Sequence, residues 1–369
     1  MFVKEVVSMK KILVYYDSMH RKGGIERVIA NLFNNLVSYY DITILTCDEK
    51  KSSYKLDDRI EQVSMKRERT LNMTKGKFYR ILQIISSLKY NHIFLKKILD
   101  NYDYVYVATP LTALEIFLLG KKAKEKLVIS EHASYYACNF IYRIIRRIVY
   151  PRCYCISVPT KTDTEIYQKM KCNTVYIPHL TTFKAKEKKE KFNKIALNIG
   201  RFTRDKQQIE LLKIWKILKD TSGLNQWKLK IVGDGELENA LKDYIEINNL
   251  VDDVIIIRST PQIENIYNEA DLFLFTSKME GFGMVLLEAM AFGLPCISYD
   301  CDSGPRDIII NNENGFLIPL FDKESFILKC NLLMNNSQKR EAMSINALST
   351  VKQWGNDDII KKWIEVFGG

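Results

Sequence analysis

Short apolar runs alternate with longer amphipathic segments along almost the whole chain. The runs are rich in Val, Ile, Leu and Tyr, as buried strands are, and the segments between them repeat apolar residues with helical spacing. Strands that alternate with helices favour βα units and parallel sheets, so we predict an α/β fold. The predicted strands are 12–16, 42–46, 104–108, 127–130, 154–158 and 175–177, followed by 195–199, 229–232, 254–257, 272–275, 295–298 and 316–318.

One highly charged stretch, residues 184–194, interrupts this alternation. It has no apolar periodicity, so we interpret it as an exposed linker. A chain of 369 residues is also too long for one typical core. We therefore predict two doubly wound, Rossmann-like domains, residues 1–185 and 186–350, and a last helical segment within 351–369. Ligands bind at the carboxyl ends of the strands in such sheets, so two facing domains would form a cleft.

The formal net charge of +11 indicates either an anionic partner or a surface rich in solvated lysine. Basic residues concentrate in the first half, within 66–97 and within 140–152. The second of these segments has the pattern of an amphipathic helix with aromatic residues. Such a helix fits an anionic membrane surface at least as well as it fits nucleic acid. The predicted helix is residues 140–150, and the arginines of the whole segment are Arg143, Arg146, Arg147 and Arg152.

The location of the protein is predicted from what its sequence contains. It has no run of about 18 apolar residues that could cross a membrane. Its eight cysteines are irregularly spaced, which suits a reducing compartment. The N-terminus does not resemble a secretory signal. We expect a cytoplasmic protein that is peripheral on the inner face of the cytoplasmic membrane, held there by its basic N-terminal-domain helices.

Three loops of the second predicted domain contain the residue types that bind phosphate. Gly200, Arg201 and Lys206 follow the strand 195–199, where a diphosphate would lie near a helix N-terminus. Arginine can bind phosphate through two hydrogen bonds, and lysine supplies a compact charge. Gly233 and Gly235 follow the next strand and give half of a dinucleotide fingerprint, a weak signal that also fits a tight turn.

The third loop contains two glutamates eight residues apart. Glu280 precedes a turn of Gly281, Phe282 and Gly283, whose backbone N–H groups would face an anion at the start of a helix. Glu288 lies inside that helix between apolar residues. A buried carboxylate is costly without a donor, so Glu288 implies a hydrogen-bonding partner or ligand.

The first predicted domain has two candidate positions. Gly23 and Gly24 precede a helix and offer backbone donors to a phosphate or to a departing anion. His132 follows the strand 127–130 and would point into the cleft, where it could bond a sugar hydroxyl or a phosphate. No metal site is expected, because the only Asp-x-Asp, residues 300–302, lacks further ligand-type residues nearby.

The motifs from Gly200 to Lys206 and from Ser277 to Pro319 resemble those of the retaining glycosyltransferases of family 4, which have the GT-B fold. The spacing from Glu280 to Glu288 and the sequence Asn314-Gly315-Phe316-Leu317-Ile318-Pro319 carry the resemblance most specifically. The resemblance extends over nearly the whole chain. It implies that the last helix crosses back to the first domain.

The resemblance also implies a role for each site residue. Glu280 contacts the donor sugar and Glu288 binds the nucleotide ribose. Arg201 and Lys206 neutralise the donor diphosphate, and His132 contacts the sugar and the reacting centre. The glycines named above, with Phe282, line the donor site.

The implied reaction is metal-independent transfer of a sugar, with retention, from a nucleoside diphosphate to a glycan hydroxyl. The donor typical of this family is a UDP-sugar, and no other cofactor is expected. The implied acceptor is an oligosaccharide linked to polyprenyl diphosphate, as in bacterial surface polysaccharide assembly. A nucleotide-sugar epimerase of the same fold is the alternative. A basic nucleic-acid-binding protein is a remote one, because no nucleic-acid motif is present.

Overall fold

The computed structural model describes residues 9–21, 23–67, 77–137, 140–187, 192–221 and 226–369. The chain forms two compact units, of which the first takes in Met1–Leu180 and Asn356–Gly369 and the second Thr181–Gly355. The units therefore divide after Leu180 and not after residue 185. The first eight residues lie outside the described part of the chain.

The first unit is built on a parallel sheet with strand order β3-β2-β1-β4-β5-β6-β7. Helices connect its successive strands except β2 and β3, which are joined by a loop. The strands are β1 (Lys11–Tyr16), β2 (Asp41–Thr46), β3 (Glu61–Ser64), β4 (Tyr104–Val107), β5 (Leu127–Ser130), β6 (Cys155–Val158) and β7 (Thr174–Tyr176). The helices are α1 (Gly24–Leu36), α2 (Lys77–Ile98), α3 (Pro110–Phe117), α4 (Lys121–Lys124), α5 (Phe140–Val149) and α6 (Lys161–Lys169).

Helices cover both faces of this first sheet. Leu13 and Tyr15 of β1 share one core with Leu95 of α2, Ile116 of α3 and Ile145 of α5. Side chains alternate along a strand, so the next residues face the opposite layer. The helices α2, α3 and α5 therefore lie on the same side of the sheet.

The second unit has a parallel sheet with strand order β10-β9-β8-β11-β12-β13. Helices pack on both of its faces, around two buried apolar clusters. The strands are β8 (Ile195–Ile199), β9 (Lys228–Val232), β10 (Val254–Ile257), β11 (Leu272–Phe275), β12 (Cys296–Asp300) and β13 (Gly315–Pro319). The helices are α7 (Gln208–Thr221), α8 (Glu238–Ile247), α9 (Ile263–Glu269), α10 (Met284–Ala291), α11 (Pro305–Ile308), α12 (Lys323–Asn335) and α13 (Ser337–Lys352).

The charged stretch 184–194 is not a free linker where the structure describes it. The backbone N–H of Lys186 donates to the carbonyl of Ala291 at 2.8 Å. The backbone N–H of Asn193 donates to Asp271 at 3.1 Å. Both ends of the stretch are thus part of the second unit, because one bonds a backbone carbonyl of that unit and the other bonds a carboxylate of it.

The last helix, α14 (Asn356–Val366), belongs to the first unit. The ring of Trp363 packs on that of Tyr106 at 5.7 Å, and the hydroxyl of Tyr40 donates to the carbonyl of Ile364 at 3.1 Å. Trp354, just before the helix, packs instead on Phe282 of the second unit at 5.9 Å. No helix in the described residues is both long and apolar enough to cross a membrane.

The predicted α/β class with two doubly wound units is confirmed, and each predicted strand is present within one or two residues. The prediction missed β3, which pairs with β2 at the edge of the first sheet. Its sequence, Glu-Gln-Val-Ser, contains one apolar residue and no side chain that is fully buried. Edge position and partial exposure removed the signal on which the other strands were predicted.

Candidate active site

The second sheet has a topological switch point between β8 and β11. These strands are neighbours, yet the chain leaves β8 towards β9 on one side and continues from β11 to β12 on the other. The loops after the two strands therefore diverge and leave a crevice at the carboxyl edge, where open α/β sheets bind ligands. The predicted residues Gly200–Lys206 and Glu280–Gly283 occupy these two loops.

Side chains and backbone join the two loops directly. Nζ of Lys206 forms an ion pair with Oε1 of Glu280, and both side chains are largely buried. The backbone N–H of Lys278 donates to the carbonyl of Asp205 at 2.9 Å, and their side chains pair at 3.3 Å. A cation and a carboxylate are thus held together at the switch point.

Arg201 has a different environment from Lys206. It is exposed, and its side chain makes no ion pair with any described residue. A backbone hydrogen bond fixes the loop of Arg201, since the N–H of Phe202 donates to the carbonyl of Asp234 at 2.8 Å. Arg201 is therefore an unpaired cation on a backbone loop that is fixed in place.

Gly233 and Gly235 allow the loop after β9 to pack closely against the loop of Arg201. A Cβ on Gly233 would lie 2.0 Å from the carbonyl oxygen of Gly200, and one on Gly235 would lie 2.4 Å from that of Phe202. Both glycines are needed because two loops pass each other at backbone contact distance. The structure favours the tight-turn interpretation of this half fingerprint, and direct contact of these glycines with a donor stays a prediction.

The turn before α10 places a helix N-terminus at the same edge. Gly283 has φ of +91° and precedes the first helical residue, a conformation that glycine adopts readily. The carbonyl of Phe282 lies against Gly304, where a Cβ would come within 2.5 Å, and the Ser303 hydroxyl donates to the carbonyl of Glu280 at 2.8 Å. The Glu280–Gly283 turn is therefore fixed by the loop after β12.

Glu288 lies in α10 and is only 2% exposed. The Thr182 hydroxyl donates to its Oε1 at 3.0 Å and the Tyr267 hydroxyl to its Oε2 at 2.9 Å. The donor partners that a buried carboxylate requires are thus present in the chain itself. Neither Thr182 nor Tyr267 was singled out from the sequence, because each is distant along the chain and carries no local motif.

In the first unit, His132 lies just after β5 at the carboxyl edge. Its Nε2 is 3.3 Å from the hydroxyl of Tyr106, and its ring stacks on His179 with centroids 5.1 Å apart. Its Nδ1 is buried and has no hydrogen-bond partner among the described residues. Burial, and then the neighbouring His179, hold the pKa of His132 well below its usual value. His132 is thus a neutral imidazole near pH 7, able to accept or donate one hydrogen bond.

His179 could have been found from the sequence. It follows β7 as His132 follows β5, and the carboxyl ends of parallel strands meet at one edge. Burial lowers the pKa of His179 to about 4, so this ring is also neutral near pH 7.

The residue before His132 belongs to a buried network. Glu131 accepts a hydrogen bond from Nη2 of Arg146 at 2.5 Å and another from the Tyr150 hydroxyl. Arg146 is 2% exposed and also donates to the carbonyl of Tyr135 at 2.9 Å. The prediction that Arg146 contributes to a basic surface is therefore wrong, because its charge is neutralised inside the unit.

The glycine loop after β1 already has an acid at its helix start. The carboxylate of Glu26 is buried and accepts from the Tyr16 hydroxyl at 3.1 Å. Burial raises the pKa of Glu26. A Cβ on Gly23 would lie 2.3 Å from the Glu26 carboxylate, whereas a Cβ on Gly24 would meet no atom within 4 Å.

Comparison with known proteins shows which of them this chain is similar to. Residues 181–350, nearly all of the second unit, match the family model described as "Glycosyl transferases group 1". The chain is 28% identical to an "Uncharacterized glycosyltransferase" of Haemophilus influenzae, over 96% of this chain and 99% of the relative. It is 25% identical to the "Amylovoran biosynthesis glycosyltransferase AmsD" of Erwinia amylovora, over 97% and 99%.

A third relative has a more specific name. The chain is 26% identical to the "GalNAc-alpha-(1->4)-GalNAc-alpha-(1->3)-diNAcBac-PP-undecaprenol alpha-1,4-N-acetyl-D-galactosaminyltransferase" of Campylobacter jejuni, over 93% of this chain and 94% of that one. Among solved structures, Staphylococcus aureus TarM aligns with a TM-score of 0.82 at 16% identity, over 98% of this chain and 99% of TarM. Anabaena HepE in complex with UDP and glucose aligns with a TM-score of 0.74 at 17% identity, over 96% and 98%. At these identities the structures show a shared fold.

Proposed function

We propose that this chain, which is a glycosyltransferase with the GT-B fold, transfers a sugar with retention from a UDP-sugar to a hydroxyl of a glycan. We further propose that the glycan is linked to polyprenyl diphosphate and belongs to bacterial surface polysaccharide assembly. The observation that supports the donor site is the ion pair of Lys206 with Glu280 at the switch point of the second sheet, beside Arg201, which pairs with none of the described residues.

Charge supports the proposed donor site. A departing nucleoside diphosphate gains negative charge, and preorganised cations and N–H dipoles stabilise such charge at little reorganisation cost. Arg201, Lys206 and the N-terminus of α10 supply these groups from neighbouring loops. Glu280 fixes Lys206 in direction, and its own backbone is fixed by Ser303.

The names of the relatives support the remaining parts. The TarM and HepE complexes contain UDP, and the Campylobacter enzyme is named for a substrate linked to undecaprenyl diphosphate. AmsD is named for the synthesis of amylovoran. Glu288 is the proposed ribose ligand, because a buried carboxylate that already accepts hydroxyl donors suits the hydroxyls of a ribose. Metal independence stays a prediction.

The direct test measures nucleoside diphosphate released from a panel of UDP- and GDP-sugars, with and without an undecaprenyl-diphosphate-linked oligosaccharide. We expect release from a UDP-sugar that increases when the acceptor is added. Arg201→Ala should weaken UDP binding about tenfold or more, because it removes a charged hydrogen-bond donor. Arg204→Ala, an exposed arginine of the same loop, is the matched control. Conversion of the sugar without release would instead indicate the epimerase, and equal UDP binding by both variants would remove Arg201 from the site.

We also propose that the first unit docks on an anionic membrane through the outer face of α5, defined as Phe140, Ile141, Arg143, Ile144, Arg147 and Ile148. The aromatic ring and the three isoleucines are exposed, and Phe140 is 72% exposed. Residues 141, 144 and 148 share one helical face, and the two arginines are exposed beside them. Ile93 of α2 and Leu118 after α3, each 52% exposed, belong to the same layer of the unit.

The membrane proposal has two separable contributions. Exposed apolar side chains enter the interface, and arginines add attraction to anionic lipids of about 1 kcal/mol each. Vesicle flotation should show stronger binding to anionic than to neutral vesicles. Ile141→Glu/Ile144→Glu should abolish it, whereas Leu328→Glu, at an exposed leucine of α12, should not. Equal flotation with both kinds of vesicle would refute the electrostatic contribution.

A further inference from the structure

The first unit contains a cavity of about 640 Å³ at the β2–β3 edge of its sheet. Ile44 and Thr46 of β2 form its floor with Gln62 and Ser64 of β3, with which they are in register. The segment 48–56 between these strands forms its walls. A volume of this size suits a small ligand or one part of a larger one.

Hydrogen bonds tie the cavity wall to the glycine loop after β1. The backbone N–H of Ser53 donates to the carbonyl of Met19 at 2.9 Å, and the hydroxyl of Tyr54 donates to that of Gly23 at 3.1 Å. The backbone N–H of Cys47 donates to the carbonyl of Asp17 at 3.0 Å. A ligand in the cavity would therefore lie next to the Gly23–Gly24 loop, on a wall that is already ordered.

Charge identifies the class of ligand. Lys50, Lys51, Lys55 and Lys66 line the cavity together with two acids, Asp48 and Glu49. Glu49 pairs with Lys66 at 3.8 Å, and the Asp48 carboxylate accepts from the backbone N–H of Lys50. Lys51 and Lys55 form no ion pair with any described residue. Unpaired cations gathered around a concave surface focus a positive field and raise the local concentration of anions.

The neutral lining adds to this chemistry. Ser52, Tyr54, Gln62 and Ser64 offer hydroxyl and amide groups, which can bond sugar hydroxyls. Lysine binds phosphate or carboxylate as a point charge and tolerates varied geometry. The lining thus suits a sugar-containing ligand with an anionic group, and it differs from the proposed donor site, which lies in the other unit.

We propose that this cavity binds an anionic group of the acceptor, held by Lys51 and Lys55. The acceptor role rests on the proposed function, whereas the binding of an anion in the cavity does not. Two sources share the chemistry, namely the diphosphate of a lipid carrier and the carboxylate of an acidic sugar. An acceptor held here is placed beside the glycine loop at the carboxyl edge of the first sheet.

The binding test uses inorganic pyrophosphate and calorimetry on the full chain, with Arg201→Ala present throughout so that the proposed donor site contributes equally little. Lys51→Ala/Lys55→Ala should weaken pyrophosphate binding about tenfold or more, and Lys51→Arg/Lys55→Arg should retain it. Lys121→Ala/Lys122→Ala, at two exposed lysines of α4, is the matched control. Equal binding by the alanine variant and the control overturns the proposal, whether or not the chain transfers sugar.

Two further arms separate the sources and the roles. Displacement of pyrophosphate by glucuronate assigns an acidic sugar, and its failure with retained pyrophosphate binding assigns a phosphate-type group. In the transfer assay, which keeps the native Arg201, Lys51→Ala/Lys55→Ala should raise the KM for a charged acceptor about tenfold and leave donor hydrolysis without acceptor unchanged. An unchanged acceptor KM overturns the acceptor role, and loss of donor hydrolysis as well overturns the assignment to the acceptor.

Discussion

Arg146→Met tests whether the buried pair with Glu131 holds the His132 loop. The pair joins α5 to the residue next to His132, and each of its side chains is less than 5% exposed. Methionine retains the apolar stem of the arginine but removes its charge and its bonds to the carbonyls of Tyr135 and Ser134. Of its side-chain partners among the described residues, Glu131 would keep the Tyr150 hydroxyl.

The expected loss follows from what remains buried. Removing one partner of a buried ion pair costs about 3–5 kcal/mol, mostly because the other charge stays desolvated. Domains are stable by about 5–15 kcal/mol, so the loss is a large part of the stability of the first unit. Glu131→Gln/Arg146→Met should recover at least half of it, because a neutral amide costs less to bury and still accepts from Tyr150.

Hydrogen exchange of peptides from β5 and α5 measures this loss in the first unit alone, which matters because two units need not unfold together. The matched control is Arg147→Met, an exposed arginine on the same helix, expected to stay within about 0.5 kcal/mol. A loss under about 1 kcal/mol for Arg146→Met, or one equal to the control, would refute the reasoning. It would mean that water reaches Glu131.

Three further outcomes are expected. Glu288→Gln should weaken UDP binding about tenfold in calorimetry, because it removes the charge that a ribose would meet. Glu324→Gln, at an exposed glutamate of α12, should leave UDP binding unchanged. Equal affinities of the two variants would remove the ribose role. Burial lowers the folded-state pKa of His179 to about 4, so the folded chain binds fewer protons than the unfolded chain below about pH 6.5. In urea unfolding, the contribution of His179 to the free energy of unfolding should be complete above that pH and should fall by about 3 kcal/mol as the pH falls to 4. The same decrease in pH should cost His179→Gln less. Gly233→Ala should destabilise the protein by about 1–3 kcal/mol in thermal melting, because its Cβ would lie 2.0 Å from the Gly200 carbonyl. Gly24→Ala, whose Cβ would meet nothing within 4 Å, should not destabilise it. Equal melting temperatures of the two variants would contradict the close packing of these loops.

The sequence predicts the fold well because buried parallel strands leave a strong local signal. Runs such as Leu272–Phe275 are apolar on both faces, so their identity does not depend on distant residues. The short edge strand β3 has no such signal. Loop positions were predicted for the same reason, since each follows a recognisable strand.

The contacts inside the site could not be predicted in the same way. Lys206 and Glu280 are joined because β8 and β11 are neighbours, which depends on strand order and not on spacing along the chain. Thr182 reaches Glu288 across 106 residues. In the sequence, Arg146 belongs to one basic group with Arg143 and Arg147, which are exposed. The position of Glu131 in the structure shows that Arg146 points inward.

The two glutamates of the second unit illustrate the same difference between spacing and environment. Glu280 is held by a cation at the edge of the sheet, and Glu288 is held by two hydroxyls inside it. A carboxylate paired with Lys206 is a poor nucleophile, because attack would require breaking that ion pair. A carboxylate that is 2% exposed can bond a ligand hydroxyl but has little room to approach a reacting carbon. For the proposed reaction, both environments favour positioning of the donor over nucleophilic attack, so stabilisation of the leaving group would fall to Arg201, Lys206 and the N-terminus of α10.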